Sequence, residues 1–164
     1  MIDPFLAAKW AHVIGASVLL GAGAAIAWFQ LFAYRTGDPA TIAGVARLVV
    51  KADWTFTLTA GLVQPISGAA LVWLGGWDPM APWLIGAYAL YLLIFLCWAP
   101  VVWLQLRLAR IAMAAVAADE PLPPVYARTM RVWFALGWPA FIAMLALIWV
   151  MVAKPDLQGL LDRF

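Results

Sequence analysis

Four long apolar stretches limit this chain more than anything else in it. A helix needs about 20 apolar residues to cross the hydrocarbon core of a bilayer, and the stretches at about 5–34, 50–74, 82–110 and 125–152 all reach that length. Of the 164 residues, 67% are hydrophobic and only 11% are charged. A water-soluble domain of this size has too little interior to hide so much apolar surface, so the chain reads as an integral membrane protein. The expected fold is all-α: a polytopic membrane protein built as an antiparallel four-transmembrane-helix bundle, in one domain, running up, down, up and down.

Punctuation between the stretches agrees with this division. The Arg-Thr-Gly-Asp-Pro run at 35–39 combines charge with turn residues. A short helical link is expected from Ile42 to Leu48, ahead of the second span. Gly75, Gly76, Trp77, Asp78 and Pro79 close that span. The third helix is expected to continue to about residue 118, longer than the bilayer requires. Its last turns carry Arg107 and Arg110 on one face, and this end is expected to project into the cytosol. The stiff run from Asp119 to Pro124 leads into the fourth helix, which Lys154 and Pro155 stop. The amino terminus has Asp3 where a signal peptide would have basic residues. Its apolar stretch also outruns an h-region of about 7–15 residues, so it is expected to be retained.

Basic residues in the links set the orientation. Arg35, Arg47 and Lys51 follow the first span, and Arg107, Arg110, Arg128 and Arg131 surround the third link. The opposite side has only Lys9, Lys154 and Arg163. The expected location is the bacterial inner membrane, with both termini and the second link on the periplasmic side. Lys51 and Asp53 are expected at the inner interface, snorkelling or paired with loop charges, and Gln30 and Gln105 near the same level.

The chain's one histidine, His12, sits in the first span. Ionisable groups inside a membrane are costly and mark candidate sites. On a helix His12 shares a face with Ala8, Gly15, Ala16, Leu19 and Gly23. Small faces let a neighbouring helix or a flat ligand approach, so His12 is expected to point into the protein. Antiparallel threading brings Gln64, Ser67 and Gly68, then Tyr88 and Tyr91, then Met144 and Ile148, to its level. Two readings stand side by side. The imidazole is an axial ligand for haem iron, with Gly15 leaving room for a porphyrin edge, or it is a packing residue hydrogen-bonded to Gln64, Ser67 or a tyrosine.

Other chemistries are poorly served. A second histidine is lacking, so a histidine-only metal site within one chain is excluded and zinc is disfavoured. Cys97 is alone, which removes any intrachain disulfide or CxxC motif. There is no Ser-His-Asp set, phosphate loop or carboxylate pair, and the net charge of +2 comes with no basic stripe for nucleic acid. Pro65, Pro100 and Pro139 free the carbonyls of Gly61, Leu96 and Ala135. They either bend helices about a common centre or expose cation ligands. The pairs Ala11/Gly15, Gly21/Ala25 and Gly23/Ala27 allow homo-oligomer contacts or packing within the bundle.

Several segments together support a family resemblance. They are KWAHVIG at 9–15, RTGDP at 35–39, QPISG at 64–68, WAPVVWLQ at 98–105, RVWFALGWP at 131–139 and MVAKP at 151–155. Over nearly its whole length the chain resembles a bacterial family of integral membrane proteins catalogued only as a domain of unknown function. More distantly, the K-x-x-H-x-x-G start is similar to the haem-containing, oxygen-independent protoporphyrinogen oxidases and to copper-resistance D type membrane proteins. In the oxidases the motif histidine ligates haem, which implies the same role for His12. Those oxidases also need a lysine early in the helix after the outer loop. Here the stretch from Pro82 to Tyr88 has neither lysine nor histidine, so the resemblance extends to haem and not to porphyrinogen oxidation. The resulting expectation is a small b-type haem protein in electron transfer or porphyrin-related redox chemistry. It would be a membrane oxidoreductase if an enzyme, with quinone or a membrane redox protein as partner. His12 would be the metal ligand, and Gly15, Gln64, Tyr88, Tyr91 and Met144 would line the haem b pocket. The rivals are an accessory subunit without cofactor and a metal-ion or small-solute transporter.

Overall fold

The structure is a computed structural model that describes residues 3–155. Five α-helices make up four candidate membrane spans: α1 (Pro4–Thr36), α2 (Pro39–Ala52), α3 (Leu58–Leu74), α4 (Pro82–Ala118) and α5 (Pro124–Ala153). Strands are absent among the described residues. Each of the four spans starts at a proline, whose missing N–H costs nothing in a first turn. Asp3 caps α1 by accepting from Phe5 N–H at 2.9 Å. At its other end Gly37, at φ +70°, takes the left-handed conformation that a glycine adopts without strain. Asp38 then caps α2, accepting from Ala40 N–H, Thr41 N–H and the Thr41 hydroxyl.

The link expected from Ile42 to Leu48 is not a separate piece. It belongs to one helix that continues from Pro39 to Leu74. The reason is amphipathic packing. Ile42, Ala43, Ala46 and Val49 form a buried stripe that packs on α4 and α1, and no proline intervenes before Pro65 to stop the helix. Between α2 and α3 one turn, Asp53–Thr57, is π-helical, with Leu58 N–H bonded to Asp53 C=O five residues back.

At 1.5 Å per residue, the 36-residue helix and the 37-residue α4 are each about 55 Å long, against about 30 Å of hydrocarbon. Both are longer than a span needs, and they pack together at the arginine-rich end. The main hydrophobic cluster lies there, with Ile42, Val49, Leu104, Leu108, Ala112, Tyr126, Met130 and Trp133 among its members. The opposite end is closed differently. Lys154 Nζ lies 4.0 Å from the Trp77 ring centroid and 5.3 Å from that of Trp83.

Away from the arginine-rich end the spans form two pairs. α3 packs on α1 and α4 packs on α5, with a smaller contact between α1 and α5. α4 is tied to the second span by two hydrogen bonds. The Tyr91 hydroxyl donates to Gly61 C=O at 2.6 Å, and Trp98 Nε1–H donates to Asp53 Oδ1 at 3.2 Å. The first satisfies the carbonyl that Pro65 frees. Removing it by Tyr91→Phe is expected to cost about 1 kcal/mol, seen as a lower thermal midpoint in detergent. An unchanged midpoint would mean the carbonyl finds another donor. The Thr41 bonds hold the Asp38 carboxyl below its ordinary range. This cap therefore contributes fully above the unfolded value of 3.8, and its contribution is lost as the pH falls through the lower folded value. Asp38→Ala is expected to flatten the acid limb of the stability profile.

Candidate functional site

The first candidate is built on α1 and α3. His12 faces inward, as its small-residue face requires, and its Nδ1 lies 2.9 Å from Ser67 Oγ. That hydroxyl also lies 2.7 Å from Val63 C=O. One hydroxyl proton cannot serve both. Assigned to the shorter contact with Val63, it leaves Ser67 Oγ to accept from His12 Nδ1–H and leaves Nε2 with its lone pair. Gln64 Nε2–H donates to His12 C=O at 3.0 Å, so the two helices are clamped in both directions. Two glycines let them approach. A Cβ on Gly68 would stand 3.3 Å from His12 Cε1, and one on Gly15 would stand 3.3 Å from Gln64 Nε2.

The residues expected around a haem therefore separate. His12, Gly15 and Gln64 come together, with Ser67 and Gly68. Tyr91 and Met144 are on the wall of a different space, and Tyr88 is half exposed with no part in either. The clearance at Gly15 is taken by the Gln64 amide. Nδ1–H held by a second group is how a metal-ligating histidine is usually oriented, so the donor suits iron. The room beside it does not suit a porphyrin held within one chain, and no chemistry through haem follows from this arrangement. Among the described residues no three His, Cys, Asp or Glu side chains converge on a point.

The second candidate is the space left because α4 stands off from α3. It is a cavity of about 630 Å³. Its walls come from α1 (Leu19, Gly23, Ala27), α3 (Gly61, Pro65), α4 (Tyr91, Trp98) and α5 (Phe134, Gly137, Met144). Trp28, Leu62, Phe95 and Trp138 on its rim are also exposed on the outer surface of the bundle, so the space opens sideways. The walls are mostly apolar; besides Tyr91 and Thr57, polar groups come from Asp53, Gln105 and Trp133 toward the arginine-rich end. The last three are buried. Among the described residues Gln105 Oε1 and Trp133 Nε1 have no hydrogen-bond partner, which is uncommon for buried polar atoms and calls for a reason.

Asp53 corrects an expectation. It is 4% exposed, so it does not snorkel, and its polar neighbours are Trp98 and Thr57 instead of a loop cation. Once α2 and α3 are one helix, Asp53 lies 14 residues from its start, about 21 Å along the axis. Gln105 had a legible signal. Leu84, Tyr91, Trp98 and Gln105 recur every seven residues, on one face of α4, and the last three line the cavity. Of the small pairs on α1, Gly15 is spent on α3, Gly23 and Ala27 line the cavity, and Gly21 and Ala25 remain exposed.

His12→Ala and Ser67→Ala should each destabilise the protein. The double variant should lose less than their sum, with a coupling of about 0.6–1.7 kcal/mol as found between membrane helices. Additive losses in thermal or denaturant unfolding would remove the bond from the account.

Comparison with known proteins adds the family and little else. No curated protein and no solved structure matches the chain. A family described as "Predicted integral membrane protein (DUF2269)" matches residues 6–155, nearly the whole chain including both candidate sites, and the protein belongs to that family of integral membrane proteins.

Proposed function

We propose that this protein binds a lipophilic small molecule, taken from the bilayer into the cavity between the α1/α3 and α4/α5 pairs. One observation carries the reading: a sideways-opening space of about 630 Å³ with apolar walls and a few polar groups at one end. Ligand sites fall in the range of about 300–1,000 Å³ with this kind of lining. The basic residues at the arginine-rich end support the orientation in which that end is cytoplasmic and both termini lie outside. On this reading the His12 cluster is structural and holds the α1/α3 wall.

The test is to fill the space. A Cβ added at Gly23 or Gly137 would meet nothing within 4 Å, and both glycines line the cavity. Gly23→Leu and Gly137→Leu are expected to fold with an unchanged or higher thermal midpoint. They should weaken binding of a fluorescent naphthylamine probe, followed by tryptophan quenching, by about tenfold or more, equivalent to about 1.4 kcal/mol. Undiminished probe binding in both variants would overturn the proposal.

A second reading has one observation in its favour. His12 Nε2 is left unprotonated by the Ser67 bond and has no partner among the described residues, which suits b-type haem on His12. The iron would then be approached from outside the chain, for example at a contact with another copy. A reduced-minus-oxidised spectrum of the purified protein separates the readings. A Soret band that disappears in His12→Ala would establish haem there, and a spectrum unaffected by that substitution would dismiss it.

A further inference from the structure

We infer that the molecule bound in the cavity is a lipophilic organic cation, held by the Asp53 carboxylate. The inference rests on the cavity being a binding site and adds the class of its ligand. An ionised carboxylate offers about four lone-pair sites. Here Trp98 Nε1–H, at 3.2 Å from Oδ1, is the one donor from another helix. A carboxylate buried in apolar surroundings is costly unless a counter-charge or a proton joins it. Among the described residues no Lys, Arg or His lines this cavity, so none of them supplies a cation to the space. Gln105 Oε1, on the same wall and without a partner, is a second acceptor oxygen that an organic cation bearing an N–H would satisfy.

The walls fit the same kind of ligand. Trp28, Trp98, Trp133, Trp138 and Phe134 border the space, and aromatic faces attract cations, most strongly where water is excluded. A hard inorganic ion is not served, because Mg²⁺ or Ca²⁺ takes six or more oxygen ligands and these walls are mostly carbon. An anion would meet Asp53 with a like charge, with Trp133 Nε1 as the unpartnered donor to compensate. An organic cation with delocalised charge and an apolar body pairs with the carboxylate, lies on the rings and fills the remaining volume with hydrocarbon.

The experiment compares two ions of the same shape and opposite charge. The full-length protein in a non-ionic detergent is titrated with tetraphenylphosphonium and with tetraphenylborate, by calorimetry or tryptophan quenching. The cation is expected to bind at least about 100-fold more tightly, equivalent to about 2.7 kcal/mol. Asp53→Asn, nearly isosteric, should abolish most of that preference while still binding the neutral naphthylamine probe. Equal binding of the two ions by the wild type would overturn the inference without recourse to a variant, as would a preference that survives Asp53→Asn. If the naphthylamine probe binds and tetraphenylphosphonium does not, the cation assignment falls and the lipophilic site stands. If Gly23→Leu and Gly137→Leu leave binding of every probe unchanged, the site itself is wrong.

Discussion

Inside a bilayer, apolar surface gains little by meeting apolar surface, because lipid tails are as oily as leucine. Polar contacts and close backbone approach therefore decide which helices touch. The His12–Ser67 bond, the Gln64–His12 carbonyl bond and the glycines beside them draw α1 against α3. The second span meets α4 through Tyr91 and Trp98, with bonds of 2.6 and 3.2 Å reaching across a gap. One wall is zipped and the other is braced, and the cavity is what the bracing leaves open.

The arginine-rich end makes this tolerable. There α2 and the end of α4 pack into a tight cluster around Leu108 and Tyr126. The bundle is anchored at that end and stays open further along. The π-helical turn at Asp53–Thr57 lies between the packed cluster and the cavity. Single π turns inside long helices are frequent at functional sites, and this one begins with the carboxylate that ends up on the cavity wall.

His12 illustrates how far residue type alone reaches. A lone intramembrane imidazole points to a site, and its inward direction and its neighbours Gln64, Ser67 and Gly68 follow from helical phase and antiparallel threading. Its role depends on what fills the space next to it. The Gln64 amide occupies the clearance beside Gly15, and Gly68 admits the ring edge onto α3. These are facts about side-chain volumes between two helices, and no pattern along one of them contains that information.

Sequence alone determined the class, the four spans, the basic end and the carbonyl that Pro65 sets free, because span length, charge placement and proline chemistry are local properties. It also placed His12 opposite Gln64 and Ser67, since antiparallel helices of known length leave little freedom in register. The unbroken helix from Pro39 to Leu74, the burial of Asp53 and the separation of Tyr91 and Met144 from His12 were decided only by the tertiary structure. Each depends on which helices pair and on how far apart the others remain. In lipid that distance is set by a few hydrogen bonds between residues distant in the chain, and spacing along the chain does not encode it.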